Sequence, residues 1–361
     1  MSDVYTVILA GGSGTRFWPK SRHLRPKQLC AIGQDPRRMI EVTLDRLTDF
    51  VPPERRLIVT HKDQIPLTRD IVGSKCPLLI AEPEAKNTAN ALALAALEIA
   101  FLHKGSTPPV MISLHADHLI RDEDAFRRTL VTATEVAEKG YLTLLGVVPE
   151  YPETGYGYIE RGAALSSTKG GFKVASFREK PERAVAEEFV KSQRFYWNAG
   201  LFVWRVDVIL EELRRTLPNT VTALEGLVKR YGSFTKCPAD ELASVYKSLP
   251  KISIDHAVLE VSQNVAVVET DIGWQDIGSW SALDKAFSTD KNGNLLYGEG
   301  CLIDTTGTTI DTDGPFVATV GVQDLVVVAS GGAVLVCPKN RDQDVKKVVE
   351  WLQERGMRSL L

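Results

Sequence analysis

A chain of 361 residues is longer than one hydrophobic core usually supports, so a large domain with a smaller companion is expected. Hydrophobic residues at 44% and charged residues at 25% are globular proportions, which exclude a fibrous or disordered chain. The formal net charge of −3 gives no overall attraction for nucleic acid or for an anionic membrane, so neither is expected as a partner and any phosphate binding must be local.

In chain order, Asp3 and the glycines after Ala10 interrupt the first apolar stretch, which therefore does not read as a secretory signal. Residues 5–9 read as a strand that feeds directly into Leu9-Ala-Gly-Gly-Ser-Gly-Thr-Arg-Phe-Trp-Pro-Lys-Ser-Arg22. Gly11, Gly12 and Gly14 allow a tight turn and bring backbone N–H groups close to an anion, which a Cβ would obstruct. Arg16 adds a permanent planar fork of donors for phosphate oxygens, and Lys27, in Pro26-Lys27-Gln28, a second cation. A dinucleotide-binding GxGxxG would need glycine where Phe17 stands, and GxxxxGK[ST] is absent.

Further strands are expected over 57–60, 78–80, 110–114, 142–148, 172–177, 201–205 and 265–269. Helical patterns over 88–104 and 124–139 fall between them, the first opening from Asn87 as N-cap, with Gly105 and Gly140 following the two ends. The first of these contains the longest helical apolar run, over 91–102, which carries Glu98 and is too short to span a bilayer. Apolar strands alternating with helices indicate an α/β fold with a mostly parallel sheet covered on both faces. After a polar connector near 288–294 come short strands with Asp, Gly and Thr turns, then a helix with Val345, Val348, Val349 and Leu352 on one face, ended by Gly356. Residues 1–287 are read as a catalytic domain and 288–361 as a β-rich appendage. The five cysteines are odd in number, scattered, and form no CxxC pair, as expected for free buried thiols in a reducing cytoplasm.

Asp117 follows the strand at 110–114, and Asp276 follows the strand at 265–269 within Trp274-Gln-Asp-Ile-Gly-Ser-Trp280. Carboxylates at the carboxyl ends of strands face the crevice where open α/β sheets bind ligands, although aspartate is also common in turns and caps. His115 and His118 flank Asp117; with no third imidazole nearby they read as structural histidines rather than zinc ligands.

Together, LAGGSGTRFWPKSR, PKQ, EPEAKNTANAL, ADH, ETGYGYIE, FREKPE, WNAGLFVW and WQDIGSW resemble the sugar-nucleotide pyrophosphorylases, and specifically the bacterial-type mannose-1-phosphate guanylyltransferases. The blocks stand in the family's order over about 280 residues. The sequence departs from the family pattern at Phe17, Lys86, Asn90 and His115. The resemblance implies a Rossmann-like nucleotidyltransferase domain with a mixed, mostly parallel sheet, plus a small C-terminal β-helix-like domain. It implies GMP transfer from GTP to mannose 1-phosphate, with Asp117 and Asp276 sharing Mg²⁺ and Lys180 near the sugar phosphate. Arg16, Lys27 and Lys180 are then the catalytic cations. Leu9, Ala10, Gly11, Gly12, Gly14, Thr15, Arg16, Glu82, Asn87 and Thr88 form the nucleotide site, and Gly157, Glu179 and Asn198 the sugar site. A cytoplasmic homodimer joined through the C-terminal domain is expected. Glucose 1-phosphate with UTP or dTTP is the alternative substrate pair, and a non-catalytic nucleotide sensor the alternative class.

Overall fold

The computed structural model describes residues 2–12, 14–166, 168 and 170–361. They form two compact units. Unit 1 comprises Met1–Gly11, Arg46–His115 and Ile120–Trp274; unit 2 comprises Gly12–Asp45, Ala116–Leu119 and Gln275–Leu361.

The first strands are β1 (Val4–Leu9), β2 (Arg56–His61), β3 (Leu78–Glu82), β4 (Val110–His115), β5 (His118–Leu119) and β6 (Leu142–Val147). Next come β7 (Tyr158–Ala164), β8 (Gly171–Arg178), β9 (Phe195–Arg205), β10 (Val265–Thr270) and β11 (Gln275–Asp276). The C-terminal strands are β12 (Leu295–Tyr297), β13 (Gly300–Ile303), β14 (Thr309–Thr312), β15 (Val317–Val320), β16 (Leu325–Ser330) and β17 (Ala333–Pro338).

Unit 1 is built on a mixed sheet in the order β3-β2-β1-β4-β9-β6-β10-β8-β7. Strands β1, β2, β3, β4, β6, β7 and β10 run one way, and β8 and β9 are reversed. Each expected strand of this region falls on an observed one. Strand β7 was not anticipated, and β9 extends the run expected at 201–205 back to Phe195. Glu160-Arg-Gly162 breaks the apolar start of β7, and Asn198-Ala-Gly200 separates the buried aromatic start of β9 from its 201–205 run, so hydrophobic periodicity gave no continuous strand signal there.

The helix Thr88–Leu102 is buried on nearly all sides, from Ala89 through Ile99, which explains its lack of a polar face. Asn87 caps it, its Oδ1 accepting from Thr88 N at 2.8 Å. The helix Glu123–Glu138 is capped by Asp122, whose Oδ1 accepts from Ala125 N. Its buried Phe126, Leu130, Ala133, Val136 and Ala137 recur at helical spacing. Among the described residues, no helix is long and apolar enough to cross a membrane.

In unit 2, β12, β14 and β16 stack in parallel, β13 and β15 stack in parallel, and Thr306 bridges Gln323. Repeated visits to three stacked faces make a short β-helix, closed by β17 pairing antiparallel with β16. Its core joins Phe17, Trp18 and Trp280 to Tyr297, Val326, Val328, Leu335, Val345, Val349 and Leu352. Among the described residues no disulfide forms; Cys30 and Cys76 are buried, but Cys301 is exposed on β13, so burial of the thiols is not general.

Glu98 is the exception in the apolar helix, and its surroundings explain it. It is 1% exposed, and its carboxylate accepts from Ser233 Oγ at 2.5 Å and Phe234 N at 2.8 Å. Glu98→Ala leaves that N–H unsatisfied and should destabilise the protein by about 1–3 kcal/mol, while Glu98→Gln, which keeps an acceptor, should cost less. Urea denaturation checks the ranking; an alanine variant as stable as the parent contradicts it.

Candidate functional site

Unit 2 holds a cluster of charge around Lys27. The turn Thr15–Phe17 opens from Gly14, whose φ is 58°. A Cβ at Gly14 would stand 2.7 Å from Lys27 N, so a larger residue there would push the two loop segments apart. Gln28 Nε2 donates to Gly12 O at 3.3 Å. At Gly12 itself no described atom lies within 4 Å of the Cβ position, so no protein contact demands glycine there.

Strands β5 and β11 are each two residues long and pair antiparallel, Gln275 with Leu119 and Asp276 with His118. That pairing brings Asp117 and Asp276 together on Lys27. The Lys27 ammonium lies 3.0 Å from Asp117 Oδ2 and 3.9 Å from Asp276 Oδ1. Lys27 is buried, whereas both carboxylates are about one-third exposed, so they can reach both the ammonium and a ligand. Below the ammonium sits the Phe17 ring, 5.4 Å away, and Phe17 in turn packs on Trp280. Arg16 is exposed; a Cβ at Gly278 would stand 3.4 Å from its Nη1, so the guanidinium lies beside the segment that follows Asp276. Two converging carboxylates are hard oxygen donors, the chemistry that suits Mg²⁺ better than a soft metal.

Unit 1 holds most of the remaining candidates, and two of them sit at the carboxyl ends of parallel strands. Leu9 ends β1 and Glu82 ends β3. Ala10 is fixed by its N–H donating to Val59 O and by its carbonyl accepting from Thr60 Oγ1. Glu82 is 6% exposed, and burial pushes its carboxyl up to about 7 despite a hydrogen bond of 2.6 Å from Tyr246 to Oε1. The other oxygen, Oε2, points toward Gly11, where a Cβ would stand 3.3 Å away.

Gly157, Glu179 and Asn198 also come together. A Cβ at Gly157 would meet Glu179 Oε2 at 2.5 Å and Asn198 Cβ at 3.2 Å. Asn198 N donates to Gly157 O, and Asn198 Nδ2 donates to Asp255 Oδ1 at 2.8 Å. Burial, with the nearby Glu179 charge, raises the Asp255 carboxyl above its usual range. Thr88 Oγ1 accepts from Ile254 N, so the segment Ile254–Asp255 joins Thr88 to Asn198. Lys180 has a positive φ of 44° and an exposed side chain, its Nζ 3.0 Å from Glu179 Oε1.

Sequence reasoning did not find Asp255 or Tyr246. Asp255 opens a π-helical turn, Asp255–Leu259, and Tyr246 lies on the helix Ala239–Ser248. Neither position carries a local motif. Their only sequence signal is chemical type: a carboxylate inside an apolar run (Ile254, Ala257, Val258, Leu259) and a tyrosine on a buried helix face.

The sequence model of the Nucleotidyl transferase family matches residues 5–293, and that of the MannoseP isomerase/GMP-like beta-helix domain matches 298–352. The mannose-1-phosphate guanylyltransferase of Escherichia coli (strain K12) is 39% identical over 98% of this chain and 74% of its own length. That of Klebsiella pneumoniae is 37% identical over 96% and 74%. A solved structure described as mannose-1-phosphate geranyltransferase from Thermus thermophilus superposes with a TM-score of 0.86 at 37% identity, over 97% of this chain and 99% of that one. The chain belongs to the nucleotidyl transferase family and, within it, to the mannose-1-phosphate guanylyltransferases, and is an enzyme of that type.

The raised Glu82 carboxyl makes stability depend on pH. Between the ordinary 4.5 and about 7 the folded chain keeps this proton while the unfolded chain releases it. The folded state therefore binds more protons, and this group's contribution to stability falls as pH rises through that window. Glu82→Gln removes the dependence, so its melting temperature relative to the parent should rise between about pH 5 and about pH 8. Melting curves that stay parallel across that range would show that burial does not perturb this carboxyl.

Proposed function

We propose that the protein transfers GMP from GTP to mannose 1-phosphate, giving GDP-mannose and pyrophosphate, with Mg²⁺ as cofactor. The observation that carries this reading is the pair Asp117 and Asp276 converging on buried Lys27 beside a glycine-rich turn. Mg²⁺ held by the two carboxylates would offset charge on the triphosphate.

The chain's own residues serve a reaction that needs no general base. The sugar phosphate's second pKa is about 6, so its attacking oxygen is largely ionised at neutral pH. The task is to hold two polyanions in line and to stabilise charge on the leaving pyrophosphate. In this reading Arg16 and Lys27 bind the triphosphate with the backbone of Gly11, Gly12, Gly14 and Thr15, where the open space at Gly12 leaves room for a phosphate. Glu82 accepts hydrogen bonds from the guanine edge, with Leu9, Ala10, Asn87 and Thr88 shaping the pocket. Gly157, Glu179 and Asn198 take the hexose hydroxyls, and Lys180 takes the sugar phosphate.

An assay of the purified protein with Mg²⁺, each nucleoside triphosphate, and mannose or glucose 1-phosphate tests the reading by pyrophosphate release. Preference for GTP with mannose 1-phosphate supports it; preference for UTP or dTTP with glucose 1-phosphate replaces it. No release from any pair leaves a nucleotide-binding regulator. Asp117→Asn and Asp276→Asn each keep shape and remove charge, so each should lower kcat by about a hundredfold or more without loss of fold. Near-parental turnover of either variant at limiting Mg²⁺ would refute the metal assignment.

We also place the enzyme in the cytoplasm as a homodimer. Free cysteines suit a reducing compartment. Ile303 and its cross-strand neighbour Val320, with Val334 and Val336 on β17, each leave more than half of their surface open. Exposed apolar residues on two sheets of a small solenoid, β13 with β15 and β17 with β16, are the kind of surface that a second copy covers. Light scattering should report about twice the 39.8 kDa chain mass, and Val320→Glu with Val336→Glu should return a monomer. A parent monomer, or a charged variant that remains dimeric, speaks against this face.

A further inference from the structure

Lys20 and Asp311 form an ion pair with both members out of solvent. Lys20 Nζ lies 2.5 Å from Asp311 Oδ1 and 2.7 Å from Oδ2, with Lys20 at 8% exposure and Asp311 at 0%. Stability is a poor explanation for it. A buried ion pair replaced by apolar groups of similar volume is often as stable or more stable, because desolvation consumes the Coulombic gain. Its best-attested service is to admit one arrangement and exclude others.

The arrangement that it fixes is the glycine-rich segment. From Gly14 to Ser21 the backbone is a run of overlapping turns, with Phe17 N donating to Gly14 O, Trp18 N to Thr15 O, and Lys20 N and Ser21 N to Phe17 O. Ser21 Oγ closes the run by donating to Gly14 O at 2.6 Å. A segment so cross-braced moves as one piece, so whatever holds Lys20 also holds Gly14, Arg16 and the Phe17 ring beneath Lys27. Two further bonds come from the C-terminal part of the same unit, Trp18 Nε1 to Leu360 O and Arg22 Nη2 to Gly331 O. The flank of Asp276 is tied to it as well, since Asp342 Oδ2 accepts from Ser281 N at 2.8 Å.

We infer that the Lys20–Asp311 pair is a positioning device through which β14 of the C-terminal coil sets the phosphate-binding cluster of Arg16, Lys27, Asp117 and Asp276. The inference rests on the function proposed above. Lys20 and Asp311 are buried and bonded to each other, so they act by fixing the turn that carries Arg16 and abuts Lys27. Asp311 can be no ordinary surface carboxylate, because all four residues of β14 are buried.

The test separates position from stability. Lys20→Met alone strands a buried carboxylate and should lower both the melting temperature and activity. Lys20→Met with Asp311→Leu removes both charges and should restore the melting temperature. In that double variant we expect kcat to stay down about tenfold to a hundredfold, with KM for the triphosphate raised and KM for the sugar phosphate nearly unchanged. Parental kcat and KM at a restored melting temperature would reduce the pair to packing and overturn the inference. If the double variant does not fold, Asp311→Glu keeps the charge and displaces the carboxylate by one methylene; it should raise KM for the triphosphate, and parental kinetics would overturn the inference. Calorimetric binding of magnesium pyrophosphate to the same proteins keeps the two readings apart. A parent protein that binds none fails the functional reading itself, and the inference with it. A parent that binds, beside a double variant that binds equally well, overturns the inference alone.

Discussion

A buried ammonium has to be answered by negative charge, and that demand at Lys27 organises unit 2. The answer comes from Asp117 and Asp276, which are far apart in sequence and meet only because β5 and β11 pair. A two-residue ribbon is a weak element alone, and it survives here because it closes an electrostatic circuit that would otherwise leave a cation stranded in a low-dielectric interior. The same demand explains the tightness around it. Gly14 lies against the Lys27 backbone with no room for a Cβ, and an aromatic face underlies the ammonium.

The residues gathered in unit 1 have the opposite electrostatic character. Glu82 and Asp255 are both carboxyls pushed toward the neutral form by burial, and each takes a hydrogen bond from a neutral donor, Tyr246 or Asn198. Neutral or weakly charged groups with fixed hydrogen bonds suit recognition of uncharged edges and hydroxyls, as ion pairs suit phosphates. Lys27, Asp117 and Asp276 lie in unit 2 and these neutral-leaning carboxyls in unit 1, where the exposed Lys180–Glu179 pair is the exception.

Much of this was legible in the sequence, and the gaps have physical causes. Apolar periodicity marked β1, β2, β3, β4, β6 and β10, because strands covered on both faces draw mainly on Val, Ile and Leu. It marked β8 by the half-buried Phe172, Val174 and Phe177 that this strand packs on the core. It missed β7, whose residues from Arg161 to Ala164 face partly outward. The turn glycines and the phosphate-seeking cations announced themselves by type and spacing. Asp255 and Tyr246 did not, since a residue presented by a π-turn or a helix face acquires its meaning from tertiary neighbours. The coil's repeat was illegible for a simpler reason: its register is uneven. Leu295 sits beside Thr309 and Thr309 beside Val326, so one step is 14 residues and the next 17. Sequence order also hides that residues 12–45 share a compact unit with the C-terminal coil.

Residues 12–45 and the coil they pack with are made far apart in time. Lys20 and its partner are separated by 291 positions, and Trp18 and Leu360 by 342. At ordinary rates of synthesis, roughly 15 to 60 s pass after the glycine-rich segment leaves the ribosome before β14 exists to receive it. The β1-β2-β3-β4 part of unit 1 can assemble within that interval, because its parallel strands come from the first third of the chain. The segment most densely charged for phosphate must meanwhile wait as an open loop without its core. The bonds from Lys20 to Asp311 and from Trp18 to Leu360 are therefore among the last tertiary contacts the nascent chain can make.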